Sequence, residues 1–199
     1  MARVALGFRA HSGWAALVAL AGPPTSPSVV ERRRIELADP AIAGSKQPYH
    51  EAEGKKPKEA ERIVARCIES SRRLAREALG LAVDELRRDH HVVAGCGLLL
   101  ASGRALPEDV HAILASHALI HAAEGEMYRD VLVRAGAHLS LRVTGVRERD
   151  VLARAAEATG RPAPELQGRV AEMGRRLGPP WRQDEKLATL VAWVVLAQA

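Results

Sequence analysis

Leu6-Gly7-Phe8-Arg9-Ala10-His11-Ser12-Gly13-Trp14-Ala15 is the stretch on which the reading of the fold turns. Val4, Leu6, Phe8 and Ala10 alternate with Ala5, Gly7, Arg9 and His11, the period-two pattern of a strand over Arg3 to His11. Ser12-Gly13 reads as a two-residue hairpin turn, because glycine reaches the positive φ that such turns demand. Trp14 to Ala21 returns as a second strand. Gly22 to Pro27 is a loop, and Ser28 to Leu37 is a third strand with Glu31, Arg33 and Arg34 as a charged outer row. The chain opens as a three-stranded antiparallel meander.

Asp39 to Lys56 has no periodicity and contains Pro40, Gly44, Pro48 and Gly54, an irregular connection of unusual length. Within it, Tyr49-His50-Glu51-Ala52-Glu53-Gly54 holds a His-x-x-Glu-Gly spacing that recurs at His121, Glu124 and Gly125, without enough else in common to make a repeat. Four of the five lysines, Lys46, Lys55, Lys56 and Lys58, bunch here and read as a solvated loop. A helix starts at Pro57, carries an apolar stripe at Ile63, Cys67, Leu74 and Ala78, and is expected to stop at Gly80. His91 to Ala101 is a near-continuous apolar run, as in a strand covered on both faces. Ser102-Gly103-Arg104 leads into a long helix, Pro107 to Ala137, in the arrangement that favours an anion at a helix start. Ser140 to Val146 is a fifth strand. Asp150 to Thr159 and Pro164 to Leu177 are two helices within an inserted helical region, residues 150–178, and Asp184 to Gln198 is a last helix, apolar nearly all round.

Length and composition fit one α/β domain over residues 1–199, a mixed five-stranded sheet flanked by helices. With 47% hydrophobic residues but only 3% aromatic, the core must be filled by Ala, Leu and Val. The chain carries no apolar run of membrane-spanning length and no secretory leader pattern, so a cytoplasmic protein with no membrane partner is expected. Cys67 and Cys96 have no Cys-x-x-Cys spacing and read as free thiols. A net charge of +5 and a pI near 9.7 permit contact with nucleic acid without requiring it.

The long helix carries the main irregularity. Val110, Ile113, Leu114, Tyr128, Val131 and Leu132 share one face, and His117, His121 and Glu124 fall in the middle of it. Buried imidazole or carboxylate must find a partner. Three readings follow: a satisfied polar cluster that fixes helix on sheet, with Tyr128 sending its hydroxyl to it; acid/base chemistry with Glu124 orienting His121; or metal ligation, although the His-Glu-x-x-His signature is absent. The first is preferred, so no metal or cofactor is expected. Ser12 and Ser102 are available hydroxyls, but there is no Gly-x-Ser-x-Gly elbow around either.

The element order resembles the ribonuclease H-like fold, and particular residues resemble its Holliday-junction resolvase branch. Leu6 to Ala15 is similar to that branch's first hairpin, Ala118 to Val146 to its helix and fifth strand, Thr159-Gly160-Arg161-Pro162-Ala163-Pro164-Glu165-Leu166-Gln167 to the Gly-x-Gly-x-Ala stretch that follows, and Trp181 to Trp193 to its last helix. The resemblance implies several carboxylates around a Mg²⁺ pair. The chain departs from this. Arg9 stands where the family has its first Asp, Val92 to Gly97 offers no acid, and only Asp184 of the last-helix pair is kept, with Leu187 at the second position.

Family-type nuclease activity is therefore not expected. Arg9 and His11, with Ser12, Ser102 and Arg104, become candidates for holding a nucleic acid or other phosphate ligand at the former nuclease centre, with Arg9 reaching Asp184 or Glu124. Asp184 has a second reading as a helix N-cap or first-turn acid. An enzyme using His117, His121 and Glu124 is the alternative, and a structural homodimer through the last helix, by Trp193 and Leu196, is a third.

Overall fold

The computed structural model describes residues 1–101, 103 and 105–199. The expected contributions of Ser102 and Arg104 to an anion site lie outside these described residues. β1 (Ala2–His11), β2 (Trp14–Ala21) and β3 (Ser28–Glu36) form the antiparallel meander. β4 (His91–Leu100) and β5 (Val143–Arg147) add in parallel beside β1, so the sheet runs β3-β2-β1-β4-β5. At the hairpin tip, Gly13 has φ +85°, and its carbonyl accepts the Leu37 and Ala38 amides at 2.8 and 3.0 Å. The first turn thus also anchors the end of β3.

Alternation along β1 divides the protein into two cores. Val4, Leu6 and Phe8 point to one face, where they pack with α2 (Pro57–Arg88) and α4 (His117–His138). The short α1 (Pro48–Ala52) and α3 (Val110–Leu114) lie on that same side. Ala5 points to the other face and joins Leu20 and Leu99 against α5 (Val151–Thr159), α6 (Ala163–Leu177) and α7 (Gln183–Ala197). Gly7 and Gly97, partners in the β1/β4 register, make the floor on which α7 rests. A Cβ on Gly7 would stand 1.9 Å from the Ala188 carbonyl oxygen, and one on Gly97 2.6 Å from that of Val191. Only glycine lets the helix backbone come this close.

The structure corrects several expectations. The second helix does not stop at Gly80 but runs to Arg88, because Leu79, Ala82, Val83 and Leu86 continue its buried stripe and this burial outweighs one glycine. The long helix expected from Pro107 is two, with Ser116 extended between them at φ −144° and ψ 120°. Asp109 caps the first, accepting from the His111 and Ala112 amides. The fifth strand begins at Val143 rather than Ser140, whose φ of +58° belongs to the turn leaving α4. The 39–56 connection contains α1, and Tyr49 and Ala52 are buried there. Tyr128 donates its hydroxyl to the Ser45 carbonyl, which ties down this connection, and not to the Glu124 cluster.

α7 is buried on every side by its own chain: Trp193 and Leu196 are 0% and 3% exposed. The face expected to meet a second copy is already covered. Cys67 and Cys96 are free and buried, and burial pushes the Cys96 thiol up to about 12. Among the described residues, no helix is long and apolar enough to cross a membrane.

Two glycine substitutions of opposite sign test this packing. Gly7→Ala should lower unfolding stability by about 3 kcal/mol, because the α7 backbone must retreat. Gly80→Ala, with open space around it in the middle of α2, should raise stability by about 0.5–1 kcal/mol. Urea melts of the two variants and the parent measure both.

Candidate functional site

β1 presents Arg9 and His11 on the face covered by α7, near the strand's end. Two carboxylates meet them. Glu148 comes from the single 3₁₀ turn after β5 and Asp184 from the first turn of α7. The guanidinium engages Glu148 with two parallel bonds, Nε to Oε2 at 3.0 Å and Nη2 to Oε1 at 2.9 Å, and its Nη1 donates to Asp184. His11 Nε2 also reaches Asp184, at 2.8 Å. Asp184 is not the N-cap residue. The Glu185 carboxylate accepts the Arg182 amide at 2.7 Å, so the helix start is served and Asp184 is left to face the strand.

The electrostatics follow from this contact set. Partial burial by itself would raise the Asp184 carboxyl, but hydrogen bonds from Arg9 and His11, with their charge attraction, outweigh it and hold the group below its ordinary value. Arg9 is driven the other way: burial disfavours its charge, yet the bonds it donates to Glu148 and Asp184 prevail and raise it. The set does not fit a pair of hard divalent cations. Such a pair needs several free carboxylate oxygens, and here the two acids are already committed to a guanidinium.

The surface beside this centre is a stack of flat side chains. His11 lies on Trp14 with centroids 4.3 Å apart and planes 12° from parallel, and the Arg34 guanidinium carbon sits 4.2 Å from the Trp14 ring centre. Ser12 is exposed at the adjoining turn.

Glu124 does not join Arg9. α4 covers the Val4, Leu6 and Phe8 face of the sheet, whereas Arg9 faces α7, so the sheet itself separates the two groups. Glu124, 2% exposed, instead takes His50 through both its backbone amide, at 3.2 Å, and its ring Nδ1, at 2.9 Å. His117 and His121 lie one helical turn apart on the exposed border of α4, not buried in its stripe, with their Nε2 atoms 3.1 Å apart. The rings of His50, His117 and His121 meet edge to face, at 65° to 87°.

Two residues of these sites escape a reading of the sequence. Glu148 follows a strand whose parallel pairing brings its end beside that of β1, a relation only the sheet order reveals. His50 carried a signal, its position in a long irregular connection, but nothing local says that α4 faces it.

The Arg9 cluster yields a pH expectation. The folded-state value of Asp184 lies below that of the unfolded chain, so its stabilisation is present above about pH 4 and is lost as pH falls through the folded value. Asp184→Asn should cost about 1 kcal/mol at neutral pH, screened by its partial exposure. The difference from the parent should shrink as pH falls below about 4, as read by denaturant melts across pH.

No protein-family model matches the chain, and no curated protein does. Solved structures do match. The RuvC structure from Thermus thermophilus is 11% identical with a TM-score of 0.51, over 96% of this chain and 91% of that one. T. thermophilus RuvC in complex with a Holliday junction substrate is likewise 11% identical with the same coverage and a TM-score of 0.49. A member of the Ppx/GppA family from Aquifex aeolicus is 14% identical with a TM-score of 0.35, over 79% of this chain and 39% of that one. At such identity the likeness to RuvC speaks for architecture alone: the chain has the ribonuclease H-like fold, in the form that RuvC shares.

Proposed function

We propose that this protein is a non-hydrolytic member of the ribonuclease H-like fold that binds nucleic acid, or another phosphate-bearing polyanion, at the mouth of the former nuclease centre. The observation that carries this reading is the Arg9 guanidinium, clamped between Glu148 and Asp184 where the fold's nucleases place metal ligands. A guanidinium already met by two carboxylates leaves no excess positive charge at the centre, and it cannot activate water as a metal does. Neither can it release a proton near neutral pH, so it offers no general base.

The neighbouring stack supports a binding role. His11, Trp14 and Arg34 form a flat, partly cationic platform at the β1/β2 hairpin, and planar cations and aromatic rings are the groups on which bases stack and phosphates dock. The net charge of +5 favours association with a polyanion.

Anisotropy titrations with labelled single-stranded and branched DNA should show affinity that falls linearly on a log–log plot against salt. Arg34→Ala should weaken binding about 5–10-fold and reduce the salt slope by about one counterion. Incubation of the same DNAs with the protein and Mg²⁺ should leave them intact. Mg²⁺-dependent cleavage that disappears in Asp184→Ala would overturn the proposal, as would affinity that does not respond to salt.

A further inference from the structure

On the opposite side of the sheet from Arg9, we infer a second site: His50, His117 and His121 form a three-histidine site for a borderline divalent transition metal, of which Zn²⁺ is the natural occupant. The inference does not rest on the nucleic-acid reading, because it uses other residues on another face.

Three features of the geometry point to an ion. One nitrogen from each ring lies within 4.8 Å of those from the other two. The closest pair, His117 Nε2 and His121 Nε2, is 3.1 Å apart, near the roughly 3.4 Å that a tetrahedral ion with bonds of about 2.0–2.1 Å imposes on its donors. The rings are inclined at 65° to 87° to each other, so none is stacked flat on its neighbour. Ligating imidazoles must present their edges, since the lone pair lies in the ring plane.

The second argument concerns protons. His50 gives its Nδ1 to the buried Glu124 carboxylate, which leaves Nε2 as its outward nitrogen. A carboxylate behind a ligating histidine fixes the ring's tautomer and orientation and makes its other nitrogen a better donor. Glu124 also accepts the His50 backbone amide, so both ring and backbone of this residue are held. The Nε2 atoms of His117 and His121, 3.1 Å apart, would have a common target in an ion.

The donor type selects the metal. Neutral imidazoles suit Zn²⁺, Cu²⁺, Ni²⁺ and Co²⁺, whereas Mg²⁺ and Ca²⁺ want oxygen. Three protein ligands leave a fourth position for water or an added ligand. Beside His50 a cleft lined by Pro40, Gly44, Gln47 and Glu51 opens to solvent. The ion would also couple elements. It would tie α1, five residues long and too short to hold itself, to α4.

The test uses the untagged full chain, stripped with chelator and titrated with Zn²⁺ calorimetrically, with Co²⁺ spectra as a second readout. One Zn²⁺ per chain, bound tighter than about 10 μM, is expected, together with the visible bands of four-coordinate Co²⁺. His117→Ala and His121→Ala, both at exposed positions where folding is safe, should each abolish such binding. Glu124→Gln should weaken it about 10–100-fold. Mg²⁺ in excess should not compete, and Asp184→Asn should bind as the parent does. Binding weaker than about 10 μM, or binding that survives either exposed-histidine substitution, would mean an adventitious ion and would overturn the inference. Should Glu124→Gln fail to fold, the two exposed-histidine variants decide the matter alone.

Discussion

The close approach of α7 to β1 and β4 is the constraint from which the rest of the architecture follows. Gly7 and Gly97 stand side by side in the sheet and leave no side chain between it and the carbonyls of Ala188 and Val191. Because that helix lies so low, Ala5, Leu20, Leu99 and the stretch of α7 from Leu190 to Leu196 form one continuous core with α5 and α6. The same seating fixes where the helix begins. Asp184, in its first turn, is set beside the end of β1, within reach of Arg9 and His11.

What stands at that strand end is an arginine whose charge is met locally. An arginine on the inner face of a sheet needs carboxylates, and the fold supplies two from elements that end or begin nearby, Glu148 after β5 and Asp184 in α7. The pairing is only partly shielded from water: the side chains of Arg9 and Glu148 are 22% and 43% exposed. Its value to stability is therefore modest, and its larger consequence is chemical, since the oxygens that could have held a cation hold a guanidinium instead.

The sheet also keeps two polar centres apart. Arg9 and His11 occupy the odd-numbered face of β1, and Glu124 with its three histidines lies among the helices over the even-numbered face. A sequence reading that correctly placed Glu124 on the inner side of its helix, and Arg9 on the inner side of its strand, still joined them wrongly. Each was turned towards the sheet, but from opposite sides of it.

The sequence by itself determined the strands of the meander, the hairpin at Ser12-Gly13 and the order of the five strands with their main helices. These depend on period, turn chemistry and residue type, which act over a few neighbours and so are written locally. The Arg9 to Asp184 pairing was also within reach, because the resemblance placed both at one centre. Only the tertiary structure decided that α2 runs through Gly80, that Glu148 completes the Arg9 cluster, and that His50 rather than Arg9 is the hydrogen-bond partner of Glu124. Those outcomes turn on burial and on which face of the sheet an element covers, and these come from contacts between segments up to about 140 residues apart, such as Arg9 and Glu148. No local pattern encodes such a contact; it exists only once the sheet order and the seating of α7 are set.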